Sequence, residues 1–184
     1  MRGVPGVGRR HPLHGHLRAV AGLSRELARR HGVDPACAEA AGWLHDWLKP
    51  LGFARLDAML SGQGVRLDAA TRAIPAIWHG PAAAAMAPAR LGVRAPGVLD
   101  AVRWHSTWRP GWGPLGRILF VADFCAPGRA FPEARTGRRL ARRSLALGVR
   151  YVLACKLAWL RAHGLKPHPA MTTCWAETAG GPSA

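Results

Sequence analysis

Wherever this chain shows a sustained apolar pattern, the period is helical. Between His16 and Arg30 the apolar residues Leu17, Val20, Ala21, Leu27 and Ala28 keep the i, i+3, i+4 spacing of one helix face. The stretch HGVDP ends that helix and starts another. Gly32 suits a left-handed C-terminal position, Asp34 an N-cap and Pro35 the first turn. The second helix is expected to run to about Leu48, where Pro50 stops it. Further helices are expected at 66–74, 80–91, 96–107, 114–125, 133–147, 149–163 and 168–177, with Pro and Gly at most of the joints. No alternating run lasts long enough to make a strand, so the expected fold class is all-α: a compact single-domain helical bundle.

A chain of 184 residues with 49% apolar content can bury one real core. Residues 1–12 read as a flexible basic N-terminus, 13–177 as the domain and 178–184 as a flexible tail. No stretch approaches the roughly 18 apolar residues of a membrane span, and the glycine-rich start lacks the apolar centre of a signal peptide. A cytoplasmic protein is expected. Cys37, Cys125, Cys155 and Cys174 lie far apart with no CxxC pair, which fits reduced thiols and neither a zinc knuckle nor a disulfide framework. The formal net charge of +16 raises a nucleic-acid partner. Yet nearly all the basic residues are arginine, in a chain rich in Ala, Gly and Pro, which points to coding bias. The cluster Arg135, Arg138, Arg139, Arg142 and Arg143 has helical spacing and reads as a solvated face. Nucleic acid is therefore not expected, and the same field would attract a polyanionic small substrate.

The chain holds only ten acids, so an acid among apolar neighbours stands out. Asp46 lies in AGWLHDWLKP, beside His45, and Asp123 interrupts ILFVADF. An unpaired buried carboxylate costs several kcal/mol, so each needs a hydrogen-bond partner, a cation or a metal. Arginine would satisfy either acid singly. It does not explain why histidines recur in similar settings: His16 at a helix start, His79 after Trp78, His105 after Trp104. A first-row metal explains both, because imidazole and carboxylate are its natural ligands. Neighbours on a helix point about 100° apart, so His45 and Asp46 can reach one centre along the helix edge.

The order His16, His45-Asp46, Asp123 resembles the H…HD…D pattern of the HD superfamily of metal-dependent phosphohydrolases. His79 and His105 look like the extra pair of members that hold two metals. The blocks HGVDPACAEAAGWLHDWLK, WHGPAAAAMA, LDAVRWHSTWRPG, LGRILFVADFCAPGRAFP and GLKPHP are, in that order, similar to the YqeK-type branch, the symmetrical bis(5′-nucleosyl)-tetraphosphatases. The resemblance runs from about His16 to Pro169.

This resemblance implies that 13–177 is an HD phosphohydrolase domain. In it His16, His45, Asp46 and Asp123 hold one metal, and Asp46 bridges to a second held by His79 and His105. Two divalent ions are implied, iron in the first place, with manganese or cobalt accepted by the same donors. They activate a water that splits diadenosine tetraphosphate, or a related dinucleoside polyphosphate, at its middle into two ADP. Besides Asp46, Lys49 and Arg109 are the implied catalytic residues. Lys49, Ser106, Thr107, Arg109 and Arg129 are the expected substrate-binding set, since arginine can grip phosphate oxygens with two donors. Lys49 also fits an ordinary cation at a helix C-terminus. His11, His14, His31, His163 and His168 are read as structural, His14 being the rival to His16. Trp43 and Trp47 read as core or pocket wall, while Trp108 and Trp112 are read either as core or as a surface that stacks on a purine.

Three positions depart from the branch's usual pattern. Leu13 stands where arginine is usual, Trp108 where glycine precedes the loop arginine, and Ala126 where an acid precedes the proline. None removes an implied ligand. Two alternatives stay open: another HD phosphohydrolase (a nucleotidase or a cyclic-dinucleotide phosphodiesterase), and an inactive nucleotide- or RNA-binding protein. The expected partner is a dinucleoside polyphosphate or other nucleotide, with no membrane and with a homodimer left open.

Overall fold

The computed structural model describes residues 12–179, and helix is the regular structure throughout, with no strand among those residues. In chain order the helices are α1 (Pro12–Arg30), α2 (Pro35–Leu44), α3 (Phe53–Gly62), α4 (Ala69–Arg72), α5 (His79–Leu91), α6 (Pro96–Trp104), α7 (Pro114–Cys125), α8 (Pro132–Arg143), α9 (Leu145–Ala162) and α10 (Pro169–Ala179), with a 3₁₀ turn at Pro75–Ile77 before α5. The fold class is the all-α one expected. His11 and the N-terminal segment read as flexible lie outside the described residues, Pro12 excepted. So does the expected tail beyond Ala179; its first two residues, Thr178 and Ala179, close α10.

Local chemistry explains most boundaries. The Asp34 carboxylate accepts from the Ala36 and Cys37 N–H groups and caps α2, with Pro35 in the first turn. Pro96, Pro114 and Pro132 likewise sit at the starts of α6, α7 and α8, where a missing N–H costs nothing.

Three boundaries differ from expectation. The second helix stops at Leu44 rather than near Leu48, and tight turns follow, with Trp47 N–H donating to Leu44 O at 3.1 Å and Lys49 N–H to Asp46 O at 3.0 Å. His45 and Asp46 therefore stand just past the end of a helix rather than within one. Helix α3 was not expected, because its buried side consists of the single i, i+4 pair Leu56 and Leu60 while Phe53 faces outward. The joint expected at Gly148 lies at Ser144, whose extended backbone breaks the chain and whose hydroxyl accepts from Leu147 N–H.

Helix α7 is the centre of the molecule, packed by α1, α2, α6, α8 and α9. Ile118, Leu119, Phe120 and Val121 are fully buried on it. At roughly 1.5–3 kcal/mol per side chain, they hold in place a helix that also carries an inward-facing acid, Asp123. Leu17, Leu27, Leu44, Ala101, Val102 and Leu153 complete the core from the surrounding helices. The arginine face of α8 is only partly solvated. Arg135, Arg139, Arg142 and Arg143 are exposed, Arg142 while pairing with Glu26 at 2.7 Å, and half-buried Arg138 donates to Cys125 O at 2.7 Å. No helix among the described residues is long and apolar enough to cross a membrane. All four cysteines are free thiols.

Candidate metal centre

Two glycines set how closely the helices carrying the histidines can approach. A Cβ on Gly42 would lie 2.5 Å from Ala21 Cα, so only hydrogen lets α2 press against α1. That contact brings His16, on α1, to the end of α2, with its Nε2 3.2 Å from His45 Nε2. A Cβ on Gly80 would lie 3.0 Å from the Val102 and Arg103 carbonyls and 3.3 Å from the His105 ring. The start of α5 thereby seats against the end of α6, and His79 Nε2 comes 3.2 Å from His105 Nε2.

Asp46 lies between these two histidine pairs. Its Oδ2 faces His45 Nε2 at 3.5 Å and His16 Nε2 at 3.8 Å, while its Oδ1 faces His79 Nε2 at 3.0 Å and His105 Nε2 at 3.5 Å. Asp123 closes the first side, with Oδ1 3.2 Å from His16 Nε2 and 3.6 Å from His45 Nε2. Two groups result, His16–His45–Asp46–Asp123 and Asp46–His79–His105, each with its donor atoms within 4.8 Å of one another. Either can hold a divalent metal. His45, Asp46, His79 and His105 are buried, while His16 and Asp123 are partly open.

The protonation pattern fits that use. His45 Nδ1 donates to Gly42 O at 2.8 Å, His79 Nδ1 to Ala76 O at 2.9 Å and His105 Nδ1 to Val102 O at 2.8 Å. Each bond runs to the carbonyl three residues back. With the Nδ1 proton so engaged, the neutral ring turns an Nε2 lone pair to the centre, the arrangement that orients a metal-binding imidazole. Lone pairs then face each other at 3.2 Å, and buried Asp46 Oδ1 has no hydrogen-bond partner. Only a cation or a proton relieves that crowding of acceptors.

Electrostatics point the same way. Burial pushes the Asp46 carboxyl up, but the charge of His45 and contacts with His105, His45 and His79 outweigh it and hold Asp46 ionised. Burial disfavours a charged His45, yet Asp46 and Asp123 overcome this and raise it to about 10. Burial lowers His105 to about 4, leaving it neutral at neutral pH. Without metal, one proton on His45 stands in for a cation.

The residues expected to bind substrate divide into two sets. Lys49 Nζ reaches Asp46 Oδ2 at 2.8 Å, Arg129 Nη2 reaches Asp123 Oδ1 at 3.1 Å, and Ser106 Oγ lies 3.0 Å from His105 Nε2. These three join the centre. Arg109 instead grips Asp100 at 2.9 and 3.1 Å, and that same carboxylate accepts from Trp112 Nε1 at 3.0 Å. Thr107 is buried, its hydroxyl directed to Trp108 O.

The tryptophan that replaces a usual glycine is Trp108, and its φ of 92° is the one positive value outside glycine among the described residues. Its ring is 2% exposed and packs edge-on against Trp112 and Phe120. Trp112 is equally buried. Neither ring is free to stack on a purine; both are core. Trp43 and Trp47 pack on Leu17, as does Leu13, another of the three departures, and Ala126, the last of them, is buried at the end of α7. His14 lies against Trp43, outside the centre. His31 and His163 make bonds at helix ends, to Ala141 O and Trp159 O, and His168 is buried between Thr71 and the Ala170 N–H.

One cation near the centre escaped the sequence reading. Lys156, on α9, rests its ammonium 4.4 Å from the centroid of Phe120. Burial lowers its pKa, and the charge of Asp123 opposes that shift. The signal was present: one of three lysines in the chain interrupts the apolar run YVLACKLAWL.

The chain is similar to several known proteins. The family model of the HD domain matches residues 13–128. The chain is 32% identical over 130 residues to the symmetrical bis(5′-nucleosyl)-tetraphosphatase of Bacillus subtilis (strain 168), covering 71% of this chain and 69% of that protein. It is 28% identical over 130 residues to the protein of the same name from Halalkalibacterium halodurans, with the same coverage of 71% and 69%. The fold matches the crystal structure of a "predicted HD superfamily hydrolase involved in NAD metabolism" from Clostridium acetobutylicum, with a TM-score of 0.87 and 23% identity over 93% of this chain and 90% of that one.

Proposed function

The chain belongs to the HD domain family, in the branch of the symmetrical bis(5′-nucleosyl)-tetraphosphatases, and on that premise we propose that it hydrolyses diadenosine tetraphosphate to two ADP at a centre for two divalent ions. The observation that carries the proposal is Asp46, whose two oxygens are divided between two histidine groups. His16, His45, Asp46 and Asp123 would hold one ion, and Asp46, His79 and His105 the other. Imidazole and carboxylate suit iron, manganese or cobalt, with iron the expected native metal. Such an ion pair supplies an activated water and neutralises charge on the attacked phosphate.

The chain's own residues do the rest. Three carbonyls fix the ring orientations of His45, His79 and His105, so no reorganisation is needed during turnover. Lys49 and Arg129 each sit on a carboxylate that a metal would neutralise, which frees both cations for phosphate oxygens. Ser106 offers a hydroxyl beside His105. Arg109 acts on the outer phosphates when it leaves Asp100, and otherwise secures the loop that carries Thr107 and Trp108.

The test is product analysis. Protein prepared with Fe²⁺, Mn²⁺ or Co²⁺ is incubated with diadenosine tetraphosphate, an Asp46→Asn sample runs in parallel, and nucleotides are separated by chromatography. ADP alone, lost in the variant, is the expected result. ATP with AMP would place the attack on a different phosphorus, and no turnover with any of the three metals would retire the substrate.

A further inference from the structure

Helix α9 begins at Leu145, beyond the part of the chain that matches the HD domain model, which ends at residue 128. It packs against the central helix α7. Its apolar side includes buried Val152 and Leu153, and on that side stands Lys156. The ammonium lies over the ring of Phe120, and Phe120 is one helical turn before Asp123 on the same face of α7. A methionine would cover this ring without the cost of desolvating a charge. Nor is Lys156 needed as the counter-ion of Asp123, which already has Arg129 at 3.1 Å and His16 at 3.2 Å.

Three cations thus act on the two carboxylates of the centre, from three separate elements: Lys49 after α2, Arg129 after α7, and Lys156 on α9. Lys49 and Arg129 also act electrostatically on Lys156, both disfavouring its charge. Three positive groups around the two carboxylates Asp46 and Asp123 leave a surplus of positive charge before any metal is bound. Mutually repelling cations gathered at a partly open centre are stabilised by an anion that touches all of them. A single phosphate monoester carries too little charge to pair with all three, whereas a chain of phosphates carries enough.

We propose that Lys156 is a substrate-binding residue which, with Lys49 and Arg129, receives the polyphosphate chain beside the cleaved bond. The proposal rests on the polyphosphate reading of this centre given above. Lys156 is half-buried, with its ammonium held over the Phe120 ring one helical turn from Asp123.

Binding of inorganic tripolyphosphate to the Mn²⁺-loaded full chain, measured by calorimetry, tests it without turnover. Lys156→Met keeps the packing and removes the charge; Lys156→Arg keeps the charge. The expected result is about 10- to 100-fold weaker binding in Lys156→Met, the effect of losing one charge-assisted hydrogen bond, with Lys156→Arg close to wild type. The wild-type salt dependence should also be steeper than that of Lys156→Met. Equal affinity in wild type and Lys156→Met overturns the proposal, as does a wild-type protein that fails to bind tripolyphosphate. Equal losses in both variants would show a packing role and overturn it too. A wild-type protein that binds tripolyphosphate through Lys156 yet leaves diadenosine tetraphosphate intact would retire the proposed reaction and leave the phosphate subsite standing.

Discussion

His79 Nε2 and His105 Nε2 lie 3.2 Å apart, although each ring already spends its Nδ1 proton on a backbone carbonyl three residues back. Two acceptors at that separation, with the unpartnered oxygen of Asp46 beside them, form a site that requires positive charge. On the other side of Asp46, His16 Nε2 and His45 Nε2 also lie 3.2 Å apart.

The first prediction concerns pH. His45 is raised from 6.5 to about 10, chiefly by Asp46 and Asp123 acting against burial. A raised folded value means that its proton stabilises the metal-free fold fully below about pH 6.5, a stabilisation lost as pH rises through about 10. His105 is lowered to about 4 by burial, so stability falls again as acid forces a charge onto it. Melting temperatures of chelator-treated protein should decline from neutrality toward both limits. In Mn²⁺-loaded protein the alkaline decline should vanish, because the metal replaces the proton. An identical alkaline slope with and without metal would contradict this.

Gly42→Ala should destabilise the protein by about 1–3 kcal/mol, the range for overpacking, since the new methyl meets the Ala21 backbone at 2.5 Å. For a chain of this size that lowers Tm by several degrees. Because the same contact seats His16 beside His45, Mn²⁺ affinity should fall as well. Thermal melts and metal titration of the variant check both; an unchanged Tm would mean that α1 and α2 have more freedom than their packing implies.

Trp108→Gly sets backbone strain against burial. A left-handed tryptophan at φ 92° costs on the order of 1–3 kcal/mol. Removing its buried ring costs about 3–5 kcal/mol. Burial wins, so the variant should be less stable by roughly 1–3 kcal/mol, despite having the residue its backbone prefers. A melting temperature equal to or above wild type would reverse that balance.

Burial pushes the thiols of Cys125 and Cys174 up to about 12. Only the thiolate is alkylated, so iodoacetamide at neutral pH should leave both untouched in the folded protein and modify both in urea. Mass spectrometry of peptides reads this directly. Rapid labelling of Cys125 in the native state would show that α7 opens locally.

Much of the site was legible because its chemistry is conspicuous in this composition. Asp46 and Asp123 stand out as acids in apolar runs, and His79 and His105 each follow a tryptophan. Less legible were contributions that depend on chain reversal. Lys156 is 33 residues after Asp123 (156 − 123), and only the packing of α9 on α7 relates them. Arg109 is suspicious in sequence as an arginine in a Pro/Gly loop, but its partner Asp100 lies on the preceding helix, and nothing local indicates that ion pair.

Local sequence determined the helical class, the proline starts, the Asp34 cap and the residue types able to hold a metal, because these depend on propensity and on groups a few residues apart. Tertiary structure decided that α2 stops at Leu44, that Trp108 and Trp112 are core, and that Asp46 divides its two oxygens between two histidine pairs. Those outcomes depend on how closely helices pack. At Gly42 and Gly80 that distance is set by the absence of one carbon, which counts only once the facing backbone is in place.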